Sequence, residues 1–369
     1  MIMVDPRLTK LAQVLVRYSC KVKKHQLVKI LGGLDSIPLL KEIFAEVLKL
    51  GAYPYTKIVD DEFEDIFFSN ASKDQITYVS PIDAYEINKM DTLIGIRSPR
   101  NTKMLSGIDP GKQAMMFRSR GKIMQKFSKR AATGDLSWVV TQYPNNASAQ
   151  DGSMSLADYE KFVFKACMVD KKDPVAEWKK VSKYNEKIIK YIKRKKEIQI
   201  KAPGTDLKFN VKGRTWINCD GSNNFPDGEV FTAPIENSVE GHIQFSFPAV
   251  YRGREVNDVR LEFKKGKVVK ATAERGEDFL HAMLKIDKGA QFLGEVAIGT
   301  NYGIDKFTRN ILYDEKIGGT FHMALGNSYP ESGGKNKSSL HWDMICDLRK
   351  KGAIYADGEM FFKNGKFLK

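Results

Sequence analysis

The spacing of apolar residues changes period partway along the chain, and this constrains the fold more than any other feature. In the first half, short apolar runs of strand length alternate with longer stretches of helical spacing. Strands are expected at 27–30, 54–59, 91–96 and 136–141, with helices at 8–18, 39–50, 81–89 and 112–130 between them. Gly51 stops the second helix. Ser80 caps the third, with Pro81 at its first position. Ser155 caps a further helix, and another starts at Pro174 and runs to about residue 196. Strands separated by helices call for parallel βαβ units with both faces of the sheet covered. After the Lys201-Ala202-Pro203-Gly204-Thr205 stretch, a turn or a linker, the period drops to two. Segments 207–211, 241–247, 259–263 and 267–271 alternate, the last two forming a hairpin around Gly266. A helix is expected at 278–283, and Asp357-Gly358 and Asn364-Gly365 mark two more turns. The expected architecture is an α/β N-terminal domain with a largely parallel sheet (1–190), followed by an α+β C-terminal catalytic domain (191–369).

A length of 369 residues agrees with two domains. Lys and Arg total 60 against 45 Asp and Glu, a formal charge of +15. The basic clusters Arg118–Lys122 and Lys193–Lys196 lie in or beside helical periodicity and carry no aromatic signature, glycine clamp or zinc-finger spacing. They read as solvated faces, and no nucleic-acid partner is expected. No stretch approaches the roughly 20 apolar residues that span a bilayer, so no membrane association is expected. The N-terminal MIMVDPRLTKLAQVLVRY has an early acid and no uninterrupted apolar run, unlike an export leader. Cys20, Cys167, Cys219 and Cys346 form no CxxC pair. Free thiols and a cytoplasmic location are the expectation.

Of the five histidines, His25, His242 and His281 read as surface or packing residues. His322, after Gly318-Gly319-Thr320-Phe321, and His341, opening His341-Trp342-Asp343, are different. On a strand, residues two apart share a face, so His341 and Asp343 can converge on one divalent cation. Glu295 stands among apolar residues on an expected strand, where burial requires a cation or hydrogen bonds. Glu229 follows the sharp Asp227-Gly228 turn. Tyr329, seven residues after His322, can offer a phenol to the same place. If these come together, Glu229, Glu295, His322, His341 and Asp343 supply five ligands, and one carboxylate can bridge two cations. Three carboxylates and a hydroxide would neutralise two divalent ions. Glu315, Lys316, Arg97 and Arg100 read as surface or supporting charges outside this set.

Several segments together resemble the thermophilic metalloaminopeptidase family, the aminopeptidase T and aminopeptidase S type. They are Gly228-Glu229-Val230-Phe231-Thr232-Ala233-Pro234, Leu293-Gly294-Glu295-Val296-Ala297, the run from Tyr313 to Gly326, Ser328-Tyr329-Pro330 and Ser339-Leu340-His341-Trp342-Asp343-Met344. The first half resembles the family less specifically, through Ile96 to Thr102, Trp138 to Pro144 and Ser153 to Glu160. The resemblance implies a metal-dependent aminopeptidase, acting on peptides with a free N-terminus and working as a homodimer. It implies two divalent metal ions, zinc, cobalt or magnesium, ligated by Glu229, Glu295, His322, His341 and Asp343. Glu229 or Glu295 would act as general base, and Tyr329 would stand beside the metals. The alternative is a non-catalytic, metal-dependent peptide-binding protein that kept the fold.

Overall fold

A computed structural model describes residues 5–369; residues 1–4, where the stretch read for an export leader begins, lie outside it. The described chain divides into two compact units, one comprising the residues up to Val175 with Gly221–Phe225, the other Ala176–Asp220 with Pro226–Lys369.

In the first unit β1 (Leu27–Gly33), β2 (Tyr53–Val59), β3 (Thr92–Arg97) and β4 (Ser137–Gln142) form a four-stranded sheet in the order β2-β1-β3-β4. Every pairing is parallel, as helices between strands require. Val28, Ile30, Ile94 and Ile96 are buried in its central strands and Val139 in the edge strand β4. The capped helices form where their signals stand. Ser80 accepts the Ile82 N–H at the start of Pro81–Lys89, and Ser155 accepts that of Asp158 at the start of Leu156–Ala166. One helical expectation is corrected. The stretch 112–130 is two helices, Pro110–Ser119 and Gly121–Ala132, because Arg120 leaves helical geometry ahead of Gly121, a poor helix former. The first helix stays α-helical only over Pro6–Gln13 and widens to a π-helical turn at Val14–Ser19.

The second unit is built from two sheets. The larger holds β5 (Glu197–Ala202), β6 (Thr205–Asn210), β9 (Glu240–Gln244), β12 (Arg260–Lys264), β13 (Lys267–Thr272), β17 (Ala353–Ala356), β18 (Glu359–Lys363) and β19 (Lys366–Phe367). Their order is β13-β12-β9-β6-β5-β17-β18-β19, with every pairing antiparallel. Of the two readings of 201–205, the structure takes the turn, since β5 and β6 pair across it. The hairpin turns Lys265-Gly266, Asp357-Gly358 and Asn364-Gly365 hold both residues at positive φ, the conformation whose twist suits a two-residue hairpin.

The smaller sheet holds β7 (Ile217–Cys219), β8 (Glu229–Thr232), β14 (Leu293–Gly299), β15 (Thr320–Gly326) and β16 (His341–Asp347), ordered β16-β15-β14-β8-β7. A ribbon of β10 (Ala249–Tyr251) and β11 (Arg254–Val256) stands apart. The two sheets share one core. Ile198, Ile200, Leu207 and Phe209 from the larger meet Val296, Ile298, Phe321 and Met323 from the smaller. Phe209 and Phe321 stack with ring centres 6.2 Å apart. One face of the smaller sheet is therefore spent on the core.

Candidate metal centre

The register of the smaller sheet decides what its other face carries. Residues directly opposite in an antiparallel pair share a face. Ala324 lies opposite Asp343 and Gly326 opposite His341. Ala297 lies opposite His322, and Gly299 opposite Glu229. Glu295 lies opposite Ala324. All five acids and histidines of the expected set therefore stand on the face away from the core. Between them the positions are Ala297, Gly299, Ala324 and Gly326, whose small side chains leave the space to the ligands.

Glu295 stands on that face by alternation with Val296 and Ile298, which face the core, while the strand before it is offset by one residue. Leu293 is opposite Leu325, yet Glu295 is opposite Ala324, so Gly294 is an extra residue, a β-bulge. Without the bulge, at this register, Leu293 would share the face of Glu295 instead of packing in the core. A Cβ at position 294 would stand 2.1 Å from the Asn327 carbonyl oxygen and 2.4 Å from that of Gly326, so only glycine fits.

The functional atoms converge. His322 Nε2 is 3.4 Å from Glu229 Oε2 and 3.5 Å from Glu295 Oε1. His341 Nε2 is 3.6 Å from Glu295 Oε2 and 3.5 Å from Asp343 Oδ2. Two groups of three ligand atoms, Glu229–Glu295–His322 and Glu295–His341–Asp343, each lie within 4.8 Å of one another and share Glu295. His322 is fully buried and the His341 side chain 25% exposed, so the site opens on the His341 side. Tyr329 completes the edge, its ring 5.1 Å from that of His341 and 5.6 Å from Phe231.

The electrostatics and the unmet hydrogen bonds fit a cation. Burial drives the Glu229 carboxyl up to about 8 and pushes Glu295 up as well. Burial also works against charge on the imidazoles, but Glu295 and Glu229 outweigh it at His322, raised to about 9. Asp343 outweighs it at His341, raised to about 10. Asp343, despite its burial, is drawn down to about 2 by His341. Burial, together with Glu295 and Asp343, keeps the Tyr329 phenol protonated well beyond its ordinary range. His322 Nδ1 and Nε2 and Glu229 Oε2 are buried with no hydrogen-bond partner. Such atoms are costly to leave unmet, and they are imidazole and carboxylate donors of the kind a divalent cation takes. His341 is oriented for that use, since its Nδ1–H donates to the Asn327 carbonyl at 2.9 Å and leaves Nε2 for the site.

Two neighbours outside the expected set belong to this place. Glu315 brings a carboxylate oxygen within 4.8 Å of ligand atoms of His322 and Asp343. Lys316, entirely buried, pairs with Glu315. In sequence they are an adjacent charged pair, indistinguishable from a surface pair; only their position within the Tyr313–Gly326 segment hinted at more. Asp227 also joins Glu229 and Cys219 within 4.8 Å. Behind the sheet edge, Asn185 donates to Asn218 Oδ1 and to the Cys219 and Glu229 carbonyls, and accepts from Thr300. Nothing in the helical spacing around Asn185 reveals this brace.

Known proteins resemble this chain along nearly its whole length. Aminopeptidase 2 of Geobacillus stearothermophilus is 26% identical over 98% of each chain, and aminopeptidase T of Thermus thermophilus is 25% identical over 95% of each. The solved structure of wild-type AmpT from Thermus thermophilus matches with a TM-score of 0.85, covering 98% of this chain and 99% of its own at 22% identity, a likeness of fold. The chain belongs to the thermophilic metalloprotease (M29) family, which it matches over residues 4–367. It is thus an enzyme of the hydrolase class.

Proposed function

We propose that the protein is a metal-dependent aminopeptidase that removes N-terminal residues from peptides at a two-metal site. The observation that carries the reading is the placement of Glu295, whose two carboxylate oxygens face different histidines, each in its own group of three ligands. Glu229 and His322 would hold one ion, His341 and Asp343 the other, and Glu295 would bridge. Zinc, cobalt and magnesium are the candidates, the imidazoles favouring the first two. Charge supports two ions. Glu229, Glu295, Asp343, Glu315 and Asp227 against the single ammonium of Lys316 leave four negative charges, which two divalent cations balance.

Bound divalent ions of this kind acidify a water and stabilise charge on a carbonyl oxygen. With Glu295 and Glu229 committed as ligands, Glu315 is the carboxylate left to move a proton from water to the leaving amine. The Tyr329 hydroxyl, kept protonated and on the exposed edge, donates to the carbonyl oxygen as negative charge develops there. The acidic surroundings suit the α-ammonium of a free N-terminus. A homodimer and a cytoplasmic location accompany the reading. None of the four cysteines forms a disulfide, and no helix among the described residues is long and apolar enough to cross a membrane.

The test is release of the first amino acid from short peptides, followed after chelation and after return of each metal. Activity should vanish with the metal, return with zinc or cobalt, and fail on the same peptides with an acetylated N-terminus. Cleavage of the acetylated peptides would refute the aminopeptidase reading, and metal-dependent binding without release would favour the peptide-binding alternative. Tyr329→Phe should lower kcat with metal content intact; unchanged turnover would remove its role.

A further inference from the structure

Lys316 is the one lysine among the largest fully buried side chains of the described residues. Burying an ammonium costs several kcal/mol unless close opposite charges repay it, and a methionine would fill similar space without that cost. The chain nevertheless builds a dedicated seat for this charge. The Asn301 N–H donates to the Lys316 carbonyl, and the Asn301 side chain donates to the Asp227 carbonyl at 2.9 Å. Asn301 itself is fully buried. Its approach to the Asp227-Gly228 turn is so close that a Cβ on Gly228 would stand 2.7 Å from its own Cβ. The segment after the short helix Ile311–Asp314 is thereby tied to the turn that launches Glu229, with Lys316 pointing inward. There Nζ pairs with Glu315 Oε1, and the charges of Glu315, Glu229 and Asp227 all act on it. Glu315, so held, lies within ligand distance of His322 and Asp343.

Building on the metal-site reading above, we infer that Lys316 is a positioning residue whose buried ammonium fixes the Glu315 carboxylate against the His322–Asp343 side of the site. It acts through Glu315, because its contact is with that carboxylate and not with the bridging Glu295. Without it, Glu315 would lose the one ion-pair partner it has among the described residues and be free to turn toward solvent, to which its side chain is 15% exposed.

A double-mutant cycle tests this. Cobalt(II) affinity and kcat are measured for the wild type, Lys316→Met, Glu315→Gln and the double variant. Each single change should weaken cobalt binding and lower kcat by roughly 10- to 100-fold, the usual loss when a group orienting a metal site is removed. The double variant should lose no more than Glu315→Gln alone. Additive losses, or a Lys316→Met protein with wild-type cobalt affinity and kcat but a lower melting temperature, would overturn the inference. If Lys316→Met does not fold, Glu315→Gln/Lys316→Gln, which removes both charges together, is compared with Glu315→Gln. Equal cobalt affinity supports the inference, and a further loss refutes it. The cobalt measurements need no turnover, so a failure of the peptidase reading shows in the wild type alone.

Discussion

At the scale of single residues, the site is a set of proton holders waiting for a stronger cation. Without metal, His322 and His341 keep their protons to about 9 and about 10, and Glu229 to about 8. The signs agree. The imidazoles, raised above 6.5, contribute stability that is complete below that value and is lost as pH climbs through their folded values. Glu229, a carboxyl raised above 4.5, costs stability progressively as pH climbs toward 8. The metal-free protein should therefore weaken steadily from mildly acidic to alkaline pH. Metal ions take only the deprotonated forms, so metal binding near neutral pH should release about two to three protons and tighten with rising pH. Calorimetric titration with zinc in two buffers of different ionisation enthalpy reads that number directly. Identical heats in both buffers would contradict it.

At the scale of elements, a glycine and a register set the chemistry. His341 and Asp343 could be paired from the sequence alone, because spacing by two on one strand leaves no choice of face. Glu295 can be aimed from Val296 and Ile298, which follow it on β14 and face the core, but not from Leu293. Counted from Leu293 at period two, Leu293 and Glu295 share a face, yet in the structure one is core and the other is ligand. The bulge at Gly294 separates them, and a bulge is a property of the pair of strands, invisible in either one. Gly294→Ala should force the crowded carbonyls of Gly326 and Asn327 apart. The expected result is a destabilisation on the order of 1–3 kcal/mol and loss of bound metal, read by thermal melting and metal analysis. Full metal occupancy in this variant would show that crowding at position 294 does not disturb Glu295. The division of 112–130 into two helices is a similar case, since apolar periodicity runs on through Arg120 while the backbone does not.

At the scale of the molecule, the proposed ligands all belong to one of the two compact units, and to one sheet of that unit. Metal should stabilise that unit by mass action, about 4 kcal/mol at a thousandfold excess over Kd. Hydrogen exchange with and without chelator should show the lost protection in β8, β14, β15 and β16, with β1 to β4 unchanged. Equal loss in both units would argue against a site confined to the smaller sheet. The formal charge of +15 is silent about all of this. It is a sum over a solvated surface, while the chemistry rests on a few acids gathered at one buried place.

Much of this protein was legible before folding. Period and capping residues marked the parallel sheet with its helices and the turn-rich antiparallel half, because helix and strand periodicity and turn chemistry are local and written in neighbouring residues. The five acids and histidines were legible as residue types that must find partners if buried. Three things awaited the tertiary structure: the bulge that keeps Leu293 in the core beside Glu295, the meeting of the two Glu295 oxygens with two different histidines, and the conversion of Glu315 and Lys316 from an apparent surface pair into part of the site. Each depends on which strand lies beside which and on what is shut away from water. Burial and register are relations between residues far apart in the chain, and they arise only when the sheet closes.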